Sequence, residues 1–157
     1  AGVVGFFEGT IERIVVLAVF LPVLAGQSGN TGCQAMAVAL RGLTLGDLKP
    51  GDARRHVFKE GMLGLANGAL VGLSAGIGMF IYASIKHTPE SPLVLSAIVL
   101  LAMTGSCFLS GLSGVLVPVT LKKLGFDPAT ASSIFLTTAT DVASMGLFLG
   151  LATWWLG

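Results

Sequence analysis

The sequence predicts an all-α, polytopic membrane protein, and three observations support that prediction. The chain of 157 residues is 54% hydrophobic and only 11% charged, and a water-soluble domain of this length carries more charge. Its mean hydropathy is +0.88. The apolar residues form long segments separated by short polar stretches, and each segment is long enough to cross a hydrocarbon core of about 30 Å. We therefore expect one transmembrane domain over residues 1–157.

Four complete transmembrane helices and the end of a preceding one are expected in this domain. Because the chain begins inside an apolar segment without an initiator Met, residues 1–8 are interpreted as the end of a first helix whose beginning was removed by truncation or processing. The complete helices are predicted over residues 12–41, 61–85, 92–120 and 127–157.

The polar segment 42–60 orients these helices. It includes the Pro50-Gly51 turn and is rich in Lys and Arg, which is typical of cytoplasmic loops. Counting the spans from this loop places the C-terminus, with Trp154 and Trp155, on the outer side. His56 is interpreted as a solvated residue of the same loop. Cys33 and Cys107 lie in apolar segments far from any metal-ligand spacing, so neither a disulfide nor a zinc site is expected.

The last predicted helix carries a carboxylate near the middle of its length. Asp127 and Pro128 supply the N-cap and first-turn signals of a helix, and Asp141 then lies near the midpoint of the span. A carboxylate that faces lipid there costs about 2.5–3.5 kcal/mol. Asp141 is therefore expected to face a protein interior or a water-filled path.

Asp141 belongs to a stripe of oxygen-bearing side chains at helical spacing. Its members are Ser133, Thr137, Thr140, Asp141 and Ser144. Hydroxyls in membrane helices often bond back to their own helix or join it to a neighbour, so the Ser and Thr residues alone leave both interpretations open. The stripe with Asp141 at its centre favours an ion path.

The second predicted helix combines Pro22 with a glycine-rich tract from Gly26 to Gln34. A kink at Pro22 would free backbone carbonyls for a ligand in a wet cavity. The alternative is tight helix packing through small residues, with Asn30 and Gln34 as interhelical hydrogen-bonding groups. Small and polar residues follow one face: Gly26, Gly29 or Asn30, Cys33, Ala37 and Arg41.

The third predicted helix carries glycines at four-residue intervals, which predicts close helix packing. They are Gly64, Gly68, Gly72 and Gly76. Asn67 lies beside them and is interpreted as a helix contact, with a place in a vestibule as the alternative.

Two motifs resemble the transmembrane domain of the MgtE family of magnesium channels, which is related to a family of eukaryotic carriers. The first extends over residues 20–47 and contains FLP, GNTGCQ and RGLTLGD. The second extends over residues 124–141 and contains LGFDPA and TTATD. The resemblance covers nearly all of the chain. Cys33 and Ile134 depart from it, because family members often carry an amide and a proline there.

The resemblance implies a homodimer of five-helix protomers, whose second and fifth helices line a central Mg²⁺ pathway. It implies that hydrated Mg²⁺ is bound at Asp141 and that cytoplasmic sensing domains with CBS repeats, absent from residues 1–157, regulate the pathway. The implied site comprises Asp141, the Thr137 position one turn earlier, Ser133 toward the cytoplasmic exit, and Gly26, Gly29 and Asn30 on the second helix.

Elementary physics favours the same kind of ion. One carboxylate per chain cannot supply the oxygen shell of a dehydrated Ca²⁺, and Mg²⁺ gives up its waters reluctantly. Two Asp141 carboxylates across a dyad would repel each other, and a divalent cation between them removes that repulsion.

The predicted function is a Mg²⁺-selective channel of the cell membrane, with membrane lipid and divalent cations as partners and no enzymatic activity. One alternative is a secondary-active exchanger of divalent cations coupled to Na⁺ or H⁺. A second is an assembly subunit that conducts nothing.

Overall fold

The computed structural model describes residues 2–9, 15–48 and 53–156, with only the backbone of residues 130–132. Every regular element in these ranges is an α-helix, which confirms the all-α prediction. Glu12 and the Pro50-Gly51 turn lie outside the described residues. The helices are α1 (Gly2–Phe6), α2 (Val15–Ala18), α3 (Leu21–Leu45), α4 (Ala53–Lys86), α5 (Pro92–Lys123) and α6 (Pro128–Leu156).

Four segments are long and apolar enough to cross a membrane, in agreement with the predicted number of complete spans. They contain between 24 and 34 residues, which corresponds to about 36–51 Å of helix. Because a hydrocarbon core is about 30 Å thick, the helix ends extend beyond it. The segments are Val15–Leu45, Ala53–Lys86, Pro92–Lys123 and Ser133–Leu156.

The observed helices differ from the predicted ones at two places. The predicted helix 12–41 is interrupted at Val19 and Phe20, and Pro22 occupies the first turn of α3 instead of a kink within a longer helix. Pro fits there because the first N–H groups of a helix have no partner within it. The predicted loop 42–60 is shorter, since α3 continues to Leu45 and α4 already begins at Ala53.

Helix α5 is the centre of the bundle, because it packs against α3, α4 and α6. Helix α3 also packs against α6, whereas α3 and α4 touch each other little. The main apolar core includes Leu17, Leu24, Met79, Ile98, Met103 and Phe148, all fully buried.

The glycines of α4 bring its backbone against α5, as their spacing predicts. A Cβ on Gly64 would overlap the carbonyl of Cys107, and a Cβ on Gly68 would lie 2.9 Å from the carbonyl oxygen of Met103. At Gly72 the carbonyl oxygen of Leu100 would lie 3.1 Å away. The contacts at Gly64 and Gly68 leave no room for a side chain, and the contact at Gly72 is tighter than ordinary packing.

A lysine joins the ends of α3 and α5. The Lys122 ammonium donates a hydrogen bond of 3.1 Å to the carbonyl oxygen of Leu43, in the last turn of α3. A positive charge at this end of a helix is favourable, because the last carbonyls are unpaired and carry the negative end of the helix dipole. Gly46 ends α3 with a φ of 78°, a conformation that glycine adopts without strain.

Replacing Gly64 by Ala is expected to destabilise the bundle by about 1–3 kcal/mol, because the added methyl forces α4 away from the Cys107 carbonyl. The measurement is the unfolding free energy in mixed micelles titrated with SDS. Gly78→Ala is the matched control on the same helix, since a Cβ there would meet nothing within 4 Å. Equal stability of the two variants would contradict the backbone contact.

Candidate functional site

Helices α3 and α6 meet at Gly32. A Cβ on this residue would lie 3.1 Å from Cγ2 of Thr140 and 3.3 Å from Cδ1 of Leu136, and all three residues are buried. Because each residue advances a helix by about 1.5 Å, Asn30 and Asp141 both lie within one turn of this contact. The glycine-rich tract and the carboxylate therefore lie at the same level of the bundle.

The two helices run in opposite directions. A Cβ on Gly114 of α5 would lie 2.5 Å from the carbonyl oxygen of Gly32, and Lys122 further along α5 bonds to Leu43 further along α3. Helices α3 and α5 are therefore parallel. Helix α6 returns beside α5, since Gly105 of α5 lies against Leu147.

Helical spacing places Gly26, Gly29, Thr137 and Asp141 on one side of this helix pair, with Ser133 close to the contact line and Asn30 about 160° around α3 from Gly32. The α6 residues in contact with α3 are Leu136 and Thr140, and the next residue after each is Thr137 or Asp141. Each residue is rotated by about 100° from the one before it. In an antiparallel pair this rotation directs the residues after the contact positions of both helices to the same side of the pair. Of the six predicted site residues, Gly29 is half-buried and the other five are exposed in the protomer. We call this surface the α3–α6 face; it comprises Gly26, Gly29, Asn30, Ser133, Thr137 and Asp141.

The predicted polar stripe of α6 divides into two parts. Thr140 and Ser144 are buried inside the protomer, with 1% and 0% of their surface exposed, because the side chain of Thr140 packs on Gly32. Ser133, Thr137 and Asp141 remain on the exposed surface. The interpretation of the stripe as one continuous ion-facing surface is thus wrong for Thr140 and Ser144.

The hydroxyls of α6 bond back to their own helix. Thr137 Oγ1 donates to the carbonyl oxygen of Ser133 at 3.0 Å, Thr140 Oγ1 to that of Thr137 at 3.1 Å and Ser144 Oγ to that of Asp141 at 3.2 Å. A hydroxyl that donates its proton in this way keeps its lone pairs as acceptors. On the exposed surface, Thr137 can therefore accept hydrogen bonds from the water shell of a cation.

Gly26 and Gly29 leave open space on the same face. A Cβ on either glycine would meet nothing within 4 Å, so packing inside the protomer does not require glycine at these positions. Their effect is to leave the backbone of α3 accessible from the α3–α6 face. The packing interpretation of the glycine-rich tract applies instead to Gly32.

The Asp141 carboxylate is exposed, and no Lys or Arg pairs with it among the residues that the structure describes. It carries the only formal charge of α6 within the described side chains. The face can therefore attract a cation without first breaking an internal ion pair.

A second polar region lies between α3 and α4, and the sequence did not predict it as a site. Two adjoining cavities of about 310 and 550 Å³ share Lys59 and Glu60 in their walls. His56, expected in a solvated loop, is half-buried within α4 and lines the smaller cavity. Asn67 lines the larger one. The signal available in the sequence was a polar residue, Asn67, within an apolar helix.

Comparison with known proteins identifies the family. A family model described as MgtE, divalent cation transporter, matches residues 21–151. The chain belongs to the MgtE family. Proteins named magnesium transporter MgtE are 33% identical to this MgtE domain over 153 residues in Enterococcus faecalis, 30% over 151 residues in Bacillus subtilis and 34% over 146 residues in Thermus thermophilus.

The matches cover 98%, 96% and 93% of this chain. The chain spans about a third of the length of these relatives, or 32%, 32% and 31%.

Replacing Gly32 by Val is expected to cost about 1–3 kcal/mol of stability, since the branched side chain cannot fit between α3 and α6. Gly29→Ala is the matched control on the same helix and is expected to change the stability by less than about 0.5 kcal/mol. Thermal unfolding in detergent, followed by size-exclusion fluorescence, measures both. A Gly29→Ala variant as unstable as Gly32→Val would show that Gly29 is also packed.

Proposed function

We propose that this MgtE domain is a Mg²⁺-selective channel, in which hydrated Mg²⁺ moves down its electrochemical gradient through a pathway lined by α3 and α6 of a homodimer. The observation that carries the proposal is the α3–α6 face. On this face Asp141, Asn30 and Thr137 are exposed on the protomer surface at one level of two membrane-spanning helices.

The physical cost of this face supports a dimer. A carboxylate exposed to lipid in mid-membrane is unfavourable by about 2.5–3.5 kcal/mol, and the amide of Asn30 adds to the cost. A second copy related by a two-fold axis would turn both α3–α6 faces toward each other and enclose a polar path. The two Asp141 carboxylates would then approach each other, and a divalent cation would offset their repulsion.

The donor set favours a cation that keeps its water shell. Mg²⁺ demands octahedral coordination and dehydrates reluctantly, while the face offers one carboxylate, hydroxyl lone pairs and accessible backbone. These groups can accept hydrogen bonds from the waters of the ion. Such water-mediated contacts are nearly as favourable as direct hydrogen bonds. Selectivity would follow from the width of the enclosed path and from these acceptors. The name of the three relatives, magnesium transporter, supports Mg²⁺ as the transported ion.

The sequence resemblance also implies a regulatory partner. We infer that cytoplasmic sensing domains act on this MgtE domain at the end where α3 and α4 are joined. Arg41, Arg54, Arg55 and Lys59 lie near this end, which supports a cytoplasmic position for it and an outer position for the C-terminus.

Asp141→Asn is expected to lower Mg²⁺ uptake at least about tenfold, because the amide keeps the size of the side chain and removes its charge. Uptake is measured with a Mg²⁺-sensitive dye in vesicles that contain the full-length protein. Glu90→Gln is the control, since it removes a carboxylate in the turn between α4 and α5. Undiminished uptake by a correctly inserted Asp141→Asn protein would refute transport along this face.

Mg²⁺ uptake is also expected to proceed when Na⁺ and pH are equal on both sides of the vesicle membrane, and to increase with an inside-negative potential. A channel needs only the gradient of its own ion, whereas an exchanger needs a counter-ion gradient. Uptake that starts only when a Na⁺ or H⁺ gradient is imposed would establish the exchanger instead. Vesicles with the Asp141→Asn protein provide the leak control.

A further inference from the structure

The two adjoining cavities between α3 and α4 share Val38, Lys59 and Glu60 in their walls, and we call them together the α3–α4 cleft. The mouth of the cleft lies where α3 ends and α4 begins, at the end of the bundle proposed to be cytoplasmic, and Arg41 and Asp47 line this mouth. The deeper part, which we call the inner part, reaches Gln34 of α3 and Asn67 of α4. Lys59 and Glu60 lie where the mouth and the inner part join. The cleft exists because α3 and α4 both pack on α5 but touch each other little.

This cleft opens toward α4, whereas the α3–α6 face lies beside α6. Thr31, in the wall of the cleft, points toward α4, since its Cγ2 would lie 3.4 Å from a Cβ on Gly64. Gly32, the next residue, faces Thr140 of α6. Because neighbouring residues are about 100° apart around a helix, the cleft wall at Thr31 and the α6 contact at Gly32 lie on different sides of α3, while Gln34 lies one turn after Asn30 where the cleft and the α3–α6 face border each other.

The depth of the cleft requires a polar occupant. Asn67 lies 14 residues after Ala53, the first residue of α4, and is therefore about 21 Å along the helix. Glu60 lies about 10 Å along the same helix. Both are half-buried. Because α4 is about 20 Å longer than the hydrocarbon core, Glu60 lies near the boundary of the core and Asn67 about 10 Å inside it, where lipid tails offer no hydrogen bonds to an amide. Water or a hydrated ligand in the cleft would satisfy these groups.

The inner part contains one basic and one acidic side chain, Lys59 and Glu60. Lys59 is exposed and Glu60 is half-buried, and the long stem of a lysine lets its ammonium reach the aqueous end of the cleft. Glu60 lines the same cavity as Gln34 and Asn67. In the part of the chain that the structure describes, neither Lys59 nor Glu60 forms an ion pair. The carboxylate is therefore available to a ligand.

We propose that the α3–α4 cleft binds a hydrated divalent cation, held through its waters by the Glu60 carboxylate and the amide oxygens of Gln34 and Asn67. Six waters occupy roughly 180 Å³ at their volume in the liquid, and the inner cavity of about 550 Å³ accommodates them. Only the identity of the ion, Mg²⁺, rests on the proposed function. The site itself lies outside the pathway along Asp141.

The test is the reaction of an introduced thiol with a charged, membrane-impermeant methanethiosulfonate in the full-length protein. The background is Cys33→Ala, since Cys107 is fully buried. Leu63→Cys reports on the cleft, whose wall contains Leu63, without altering a proposed ligand. Met62→Cys is the matched control, because Met62 is exposed at the same depth and does not line the described cavities.

Leu63→Cys is expected to react at least about tenfold faster than Met62→Cys, because the reactive thiolate forms in water and not in lipid. Millimolar Mg²⁺ is expected to slow the Leu63→Cys reaction severalfold. Adding Glu60→Gln is expected to abolish this protection while the fast reaction without Mg²⁺ persists, which shows that the cleft remains intact. Adding Asp141→Asn is expected to leave the protection unchanged.

Two results would overturn the proposal. Equal, slow reaction of Leu63→Cys and Met62→Cys would mean that protein or lipid fills the cleft. Fast reaction of Leu63→Cys without protection by Mg²⁺, or with protection that survives Glu60→Gln, would mean that the cleft holds water but no cation at Glu60. Neither result depends on whether Asp141→Asn abolishes uptake, so failure of this site is distinguishable from failure of the proposed channel.

Discussion

An ionised carboxylate is stable in the middle of a membrane only where water, a cation or a polar group solvates it. Asp141 imposes this requirement on the whole MgtE domain, because it lies on the surface of the protomer near the level where α3 and α6 meet. The surface of α4 is different. Along the middle of this helix large apolar side chains are exposed, as Leu70, Ile77 and Ile81 illustrate. One side of the bundle thus suits lipid and another does not.

Glycine has two opposite uses in this fold. On α4, Gly64 and Gly68 remove side chains so that two backbones can touch, which holds α4 against α5. On α3, Gly26 and Gly29 border open space, and the missing side chain keeps the backbone accessible. The first use contributes rigidity through close packing. The second leaves a surface on which a hydrated ion can approach carbonyl groups.

The same division applies to polar residues. Thr140 and Thr137 both bond back to α6, but Thr140 packs inside the protomer and Thr137 lies on its surface. Asn67 belongs to neither group, since it lines the cleft between α3 and α4. In a bundle of membrane-spanning helices, the neighbours of a polar side chain decide whether it joins helices or meets water.

The sequence by itself determined the fold class, the number of spans and the position of Asp141, because hydropathy and segment length follow directly from a bilayer of fixed thickness. It also predicted the contact face of Gly64 and Gly68 from their spacing. Only the tertiary structure separated Thr140 from Thr137, moved Pro22 to the start of a helix and opened the cleft at Glu60. Helical periodicity gives the direction of a side chain around its own axis, whereas the packing angles between helices decide what stands opposite it.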